Sequence, residues 1–334
     1  MLVSTFLWIP YFIFWIISSY ITYRLTKTIL KLIQVTFVYL ILPYFHTPDL
    51  KKYSGRWTVV SGGTDGIGKA YMMELASRGL KKFVIVGRSL TKLESCKREL
   101  EQQFGCKVQI YVFDFLDGDY SLLRQFLSSI DIGFVVNSVG VGRQHLEKFG
   151  ENIQSDYQIM KVNCLGAAEF MSCCLPVMEK YGGGEMVVLS SSQGEKPIPL
   201  LAAYSAGKSF MTFICDCVNR EYKNIHVQTL IPALVATNMT YYTKGSLFVV
   251  TPQSFAKSAI NSLGVLQKTA GCFNHEFQML AYQLLPWSVL KHLIMPIYWL
   301  HQKRMITMHG DPNKLRSAAE SNKPLNITIT EEKV

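Results

Sequence analysis

The sequence predicts an α/β fold, a doubly wound parallel sheet behind an N-terminal membrane anchor. Three observations lead there. From Trp57 onward short β-branched runs alternate with helix-length stretches, the first of those runs opens into a Gly-rich loop, and the segment before them contains a long uncharged run. With 334 residues, 49% hydrophobic and 17% charged, the chain can bury a full core. Disordered, collagen-like and mini-protein classes are excluded.

Residues 2–23 carry no charge and have the length needed to cross ~30 Å of hydrocarbon. Arg24, Lys27 and Lys31 follow this run, whereas a cleaved signal peptide has its basic residues in front. The expectation is a retained anchor with its cationic side, and the rest of the chain, in the cytoplasm. A second apolar run, 32–45, has 14 residues and is closed by Pro43, which reads as a membrane-surface helix or a re-entrant segment.

Strands are expected at 57–61, 83–87, 108–113, 133–139, 185–191 and 226–231, with helices such as 71–78 and 92–104 ending at Gly79 and Gly105. Residues 277–290 form a further uncharged run, interrupted afterwards by Lys291 and His292. It reads as a substrate-covering or membrane-surface segment, with a core helix or a homodimer face as open alternatives. The resulting organisation is an anchor over 1–50, a catalytic domain over 51–275, an apolar extension over 276–310 and a polar tail over 311–334.

The net charge of +10 sits at the ends: residues 57–290 carry only +2, residues 1–56 carry +5 and residues 291–334 carry +3. Those cations flank the apolar segments, where they would meet anionic lipid head groups. No Lys/Arg cluster with interleaved aromatics occurs in the body, so nucleic acid is not an expected partner. Eight cysteines without a CxxC pair read as free thiols of a reducing compartment. The seven scattered histidines predict no metal site.

The loop Ser61-Gly62-Gly63-Thr64-Asp65-Gly66-Ile67-Gly68, between a strand and a helix, places backbone N–H groups and a helix N-terminus against a pyrophosphate. At the end of the second strand stands Arg88, where an NAD site usually has a carboxylate for the ribose 2′-OH. A guanidinium there favours a 2′-phosphate, with Ser89 and Thr64 as hydroxyl donors, and predicts NADPH. Tyr204-Ser205-Ala206-Gly207-Lys208 stacks a phenol and an ammonium one helical turn apart, and Ser191 ends the preceding apolar strand.

The spacing of Gly62, Gly66 and Gly68 resembles the TGxxxGIG motif of the short-chain dehydrogenase/reductase family. Asn137-Ser138-Val139-Gly140 is similar to that family's NNAG segment, Asn163 stands where it has a fourth catalytic residue, and residues 232–237 resemble PGxVxT. Ser138 and Ala233 depart from the pattern without removing a reacting group. The resemblance implies a Rossmann-like sheet and a catalytic set of Ser191, Tyr204, Lys208 and Asn163. In it Tyr204 is the general acid, Lys208 lowers its pKa and holds the nicotinamide ribose, Ser191 binds the substrate oxygen and Asn163 holds a water for proton resupply. It further implies cofactor contacts from Gly62, Thr64, Gly66, Ile67, Gly68, Arg88, Ser89, Asp114, Asn137, Tyr204, Lys208, Val235 and Thr237.

Residues 196–201, 234–237 and 251–260 resemble the endoplasmic-reticulum branch of very-long-chain 3-oxoacyl-CoA reductases and 17-beta-hydroxysteroid dehydrogenases, including nematode-type steroid dehydrogenases. That likeness implies a lipid-like ketone substrate and an endoplasmic reticulum membrane location, with the catalytic domain facing the cytoplasm. Loops 193–203 and 238–251 carry no charge that separates acyl-CoA from steroid. The alternative is a membrane-anchored scaffold that keeps the fold with little activity.

Overall fold

The computed structural model describes residues 8–311. The start of the expected span at residue 2, and the polar tail from 312 with its sequon Asn326-Ile327-Thr328, lie outside the described residues. Helix α1 (Trp8–Thr36) runs on through a π turn at Phe37–Ile41 and a 3-10 turn at Leu42–Tyr44. The two apolar runs therefore do not separate into an anchor and a second segment. Arg24, Thr28, Lys31 and Val35 recur at helical spacing on the face turned toward the domain, so the cations find partners without a break in the helix. Arg24 donates to the Gln283 carbonyl (3.4 Å), Lys31 pairs with Glu276 (3.7 Å), and Val35, Val38 and Tyr39 pack against Leu266 and Phe273.

Seven parallel strands follow, namely β1 (Trp57–Ser61), β2 (Lys82–Gly87), β3 (Lys107–Val112), β4 (Ile132–Asn137), β5 (Gly184–Leu189), β6 (Ile225–Leu230) and β7 (Lys268–Thr269). Their order across the sheet is β3-β2-β1-β4-β5-β6-β7. The two-residue β7 was not expected, because it is too short to show an alternation. Strands β4 and β5 stop at Asn137 and Leu189, two residues earlier than expected, and this leaves Ser138, Ser190 and Ser191 beyond the sheet edge.

Successive strand residues face opposite ways. Val60 and Ile85 pack with α2 (Gly66–Ser77), α3 (Leu90–Phe104) and α8 (Pro252–Asn261), whereas Val59 and Val84 pack with α4 (Tyr120–Ser128), α6 (Ala167–Lys180) and α7 (Ala202–Glu221). The near-continuous apolar strands are the consequence of burial on both faces. Helix α2 begins at Gly66, ahead of the expected 71, because Asp65 caps it by accepting from the Gly66 N–H (2.7 Å).

Helix α5 (Ile153–Met160) passes into a π turn at Lys161–Gly166 before α6. Beyond the sheet, α9 (Phe273–Leu284) and the 23-residue α10 (Trp287–His309) occupy the region whose role the sequence left open. The strand order reverses between β2 and β4, on either side of β1. That opens a crevice at the carboxyl ends of β1 and β4, and Ser61 and Asn137 stand in register at its floor.

Candidate active site

A cavity of about 410 Å³ fills this crevice. Its floor requires glycine at two points. Gly62 has φ +65° and a Cβ there would meet the Ser138 carbonyl oxygen at 2.4 Å; a Cβ on Gly68 would meet the Gly62 oxygen at 2.4 Å. Helix α2 thus packs directly on the loop, with its N-terminus turned to the cavity. Asp65 also accepts from Asn238 Nδ2 (2.7 Å), which ties the 237–240 segment across the loop.

Twelve of the residues singled out from the sequence line this one cavity: Gly62, Thr64, Gly66, Ile67, Arg88, Ser89, Asp114, Ser191, Tyr204, Lys208, Val235 and Thr237. Gly68, Asn137 and Asn163 stand behind it. Asn137 is buried with Nδ2 donating to the Ala167 carbonyl (2.8 Å) and Oδ1 accepting from Ser61 Oγ (3.3 Å), so its side chain joins β4 to α6 and β1 and faces away from the cleft. Asn163 sits on the π turn, an irregularity that rotates it out of the α-helical register. Its Oδ1 accepts from the Val141 N–H (2.7 Å) and its Nδ2 donates to the Val141 carbonyl (2.9 Å). Both groups of its side-chain amide are thereby engaged in pinning the 138–142 loop.

Lys208, 5% exposed, donates to the Leu189 carbonyl (2.7 Å), and its ammonium lies 5.8 Å from the Tyr204 ring centre. Burial pulls Lys208 down to about 8 and pushes the Tyr204 phenol up to about 12, while a hydrogen bond from Ser191 draws the phenol down. The sequence led us to expect Lys208 to lower Tyr204. In this geometry burial is the larger cause, and Ser191 supplies the opposing effect. Of the three consecutive serines 190–192, Ser190 turns its Oγ to the Lys208 carbonyl (2.6 Å) and Thr212 (2.8 Å), whereas Ser191 faces Tyr204.

A second, predominantly apolar cavity of about 320 Å³ meets the first along a wall of Ser191, Tyr204, Ala233, Met239 and Thr240. Helix α10 forms its roof through Leu290, Leu293, Ile294, Ile297, Tyr298 and Met305. Three polar contacts hold that roof down: Gln193 Nε2 donates to the Tyr298 hydroxyl (2.7 Å), Gln302 accepts from the Leu146 N–H (2.7 Å), and Tyr241 bonds His309 (2.7 Å). None of these residues was singled out from the sequence. Only the helical spacing of the apolar positions between 290 and 305 could have signalled a buried stripe.

One chamber with a Gly-built floor beneath a helix N-terminus is thus joined to an apolar chamber beside a Ser-Tyr-Lys cluster. The short chain dehydrogenase family matches residues 56–245, more than half of the chain. The chain belongs to that family. This dehydrogenase is 34% identical over 293 residues to the rat very-long-chain 3-oxoacyl-CoA reductase, covering 85% of this chain and 92% of the relative. It is 37% identical over 247 residues to a human protein named inactive hydroxysteroid dehydrogenase-like protein 1, covering 71% and 74% of the two chains. Among solved structures, a short-chain dehydrogenase from Sphingobium yanoikuyae in complex with NADPH superposes with a TM-score of 0.59 at 18% identity, over 81% of this chain and 98% of that one. As an oxidoreductase of this family, the protein presents groups that could hold a dinucleotide. Arg88 is exposed at the end of β2 beside Ser89 and Lys92, with no ion pair among the described residues, and fits a 2′-phosphate.

Proposed function

We propose that this dehydrogenase is an NADPH-dependent reductase of a ketone on a lipid-sized substrate, with very-long-chain 3-oxoacyl-CoA as the class its relatives favour and 17-ketosteroids as the nearest competitor. The observation that carries the reading is the junction of the two cavities at Ser191 and Tyr204. A carbonyl placed there has a nucleotide-sized cleft on one side and an apolar chamber for its tail on the other.

NADPH, when bound, supplies the hydride for the carbonyl carbon. Ser191 donates to the carbonyl oxygen and stabilises the charge developing on it, and Tyr204 delivers the proton that completes the hydroxyl. Lys208 holds a positive charge beneath the phenol, and Asn163 fixes the loop against which the reacting groups are aligned. Exclusion of water falls to α10, latched by Tyr298 and Gln302. Gly62, Thr64, Gly66, Ile67 and Thr237 would cradle the phosphates, and Asp114 would lie at the adenine end.

Helix α1 is long and apolar enough to cross a membrane, and its exposed Trp8–Tyr23 part supports an anchor. Arg24 and Lys31 bond to α9 itself, so the domain lies on the cationic side of the span. That relation supports a cytoplasmic face, in a membrane such as the endoplasmic reticulum. The test is NADPH oxidation by the detergent-solubilised full chain across 3-oxoacyl-CoAs, 17-ketosteroids and retinal. Turnover of a 3-oxoacyl-CoA or a 17-ketosteroid well above the others supports the reading, preferential turnover of retinal, an aldehyde, would contradict it, and no turnover of any would favour a scaffold with little activity.

A further inference from the structure

Helix α9 lies antiparallel along α1. Lys31 meets Glu276 and Arg24 meets Gln283, positions seven residues apart on both helices but taken in opposite directions. The carboxyl end of α9 therefore reaches the level of Arg24, where the uncharged part of α1 begins. Lys196 fixes the corner that follows, donating to the carbonyls of Tyr282 and Leu285 (2.9 Å to the latter). From that corner α10 turns back over the apolar cavity. Leu285 and Leu290 line the cavity at the corner, and Tyr298, beside the Ser191 loop, lies about 12 Å further along the helix.

The outward surface that runs from this corner along both helices is apolar and basic. Phe277 (57% exposed), Val289, Trp299 (66%) and Leu300 face outward, as do Leu25, Ile29 and Ile33 of the adjoining α1. Residues 277–310 contain Lys291, Lys303 and Arg304 and no carboxylate at all. Continuity with the α1 span and this one-signed charge identify the partner as an anionic bilayer surface.

We propose that the α9–α10 corner is a second membrane contact, seated in the interfacial layer beside α1, and that the apolar tail of the substrate enters the cavity there, directly from the lipid. The route of entry rests on the proposed ketone reductase activity; the membrane contact does not. The span delivers the corner to the interface, and the cavity leads from it to Tyr204. A substrate partitioned into the bilayer thus reaches the catalytic groups without leaving an apolar environment.

The test uses the full chain with Trp8→Phe and Trp15→Phe, which leaves Trp57, Trp287 and Trp299. It is reconstituted into phosphatidylcholine–phosphatidylserine vesicles whose acyl chains are brominated near the headgroup end. We expect a loss of tryptophan emission relative to unbrominated vesicles, and the disappearance of that loss once Trp287→Phe and Trp299→Phe are added, since Trp57 sits in the sheet. Retained NADPH binding checks the fold of each variant. Emission from Trp287 and Trp299 that is indifferent to bromine would overturn the contact, and a sedimenting dimer in detergent would then assign this face to a second copy. Val289→Glu, beside the corner and outside both cavities, should raise KM severalfold for a vesicle-borne long-chain ketone and leave KM for a short water-soluble thioester unchanged. Equal KM effects on both would overturn lateral entry. Quenching without turnover of any ketone would sink the reductase reading while leaving the membrane contact standing.

Discussion

Asn163 grips Val141 at both of its backbone groups, through an accepted bond of 2.7 Å and a donated one of 2.9 Å. The strand β4 ends four residues before Val141; Ser138 N–H still bonds to the Ser61 carbonyl of β1 (3.3 Å), and at Val141 the side-chain amide takes over. Asn163→Ala should destabilise the fold by about 1 kcal/mol or more, since it leaves two partly buried backbone groups of Val141 without their partner. It should weaken NADPH binding as well, because residues 138–141 line the cofactor cleft. Urea unfolding in detergent and a fluorescence titration measure the two effects. Unchanged stability with lowered turnover alone would show that Asn163 acts through a water, as the sequence suggested.

The buried Lys208 ammonium makes the stability of the fold depend on pH. Its folded pKa, about 8, lies below the ordinary 10.5, so between those values the unfolded chain binds the proton more tightly and stability rises with pH. Below pH 8 the cost of burying the charge is present in full. Relative to Lys208→Met, the wild type should therefore gain stability as pH climbs from 8 to 10.5, by up to about 1.4 kcal/mol per unit. Tyr204, raised to about 12, works in the opposite sense from pH 10 upward, and it does so in both proteins. Thermal unfolding at pH 7.5 and 10 gives the comparison. A constant difference would mean that Lys208 titrates at its ordinary value.

Arg88 should make the enzyme prefer NADPH to NADH by at least tenfold, roughly 1.4 kcal/mol. Arg88→Asp repels a 2′-phosphate and should shrink or invert that ratio. Steady-state kinetics with both cofactors decides it, and equal use by the wild type would remove Arg88 from the cofactor site.

Asn238 stands in a sequon, Asn238-Met239-Thr240, yet its amide nitrogen is bonded to Asp65 beside the cofactor cleft. With the domain in the cytoplasm it should carry no glycan. An endoglycosidase mobility shift, with Asn238→Gln as control, measures this directly. A shift that the substitution abolishes would put the domain in the lumen.

Much of this site was legible before the fold was known, because its chemistry is local. The glycine loop, Arg88 at a strand end and the one-turn spacing of Tyr204 and Lys208 each lie within a few residues of one another or of an element boundary. What was not legible depends on contacts between segments distant in sequence. The partner of Asn163 is 22 residues away on a loop, and the role of Tyr298 depends on Gln193, 105 residues earlier. The cations of α1 suggested a helix end only because their partners, Gln283 and Glu276, belong to a helix near the other end of the chain. The balance of burial and hydrogen bonding at Tyr204 likewise needed the folded surroundings.

In the proposed mechanism Tyr204, at the junction of the two cavities, protonates a lipid ketone as it is reduced. The most direct measurement is the product balance for the full chain and for Tyr204→Phe, given NADPH and a long-chain 3-oxoacyl-CoA in detergent micelles. The wild type should form one hydroxyacyl product per NADPH consumed. The variant should bind NADPH with unchanged affinity and form product at least about a hundredfold more slowly, since a single phenolic hydroxyl has been removed. Undiminished turnover by Tyr204→Phe would rule out Tyr204 as the proton donor.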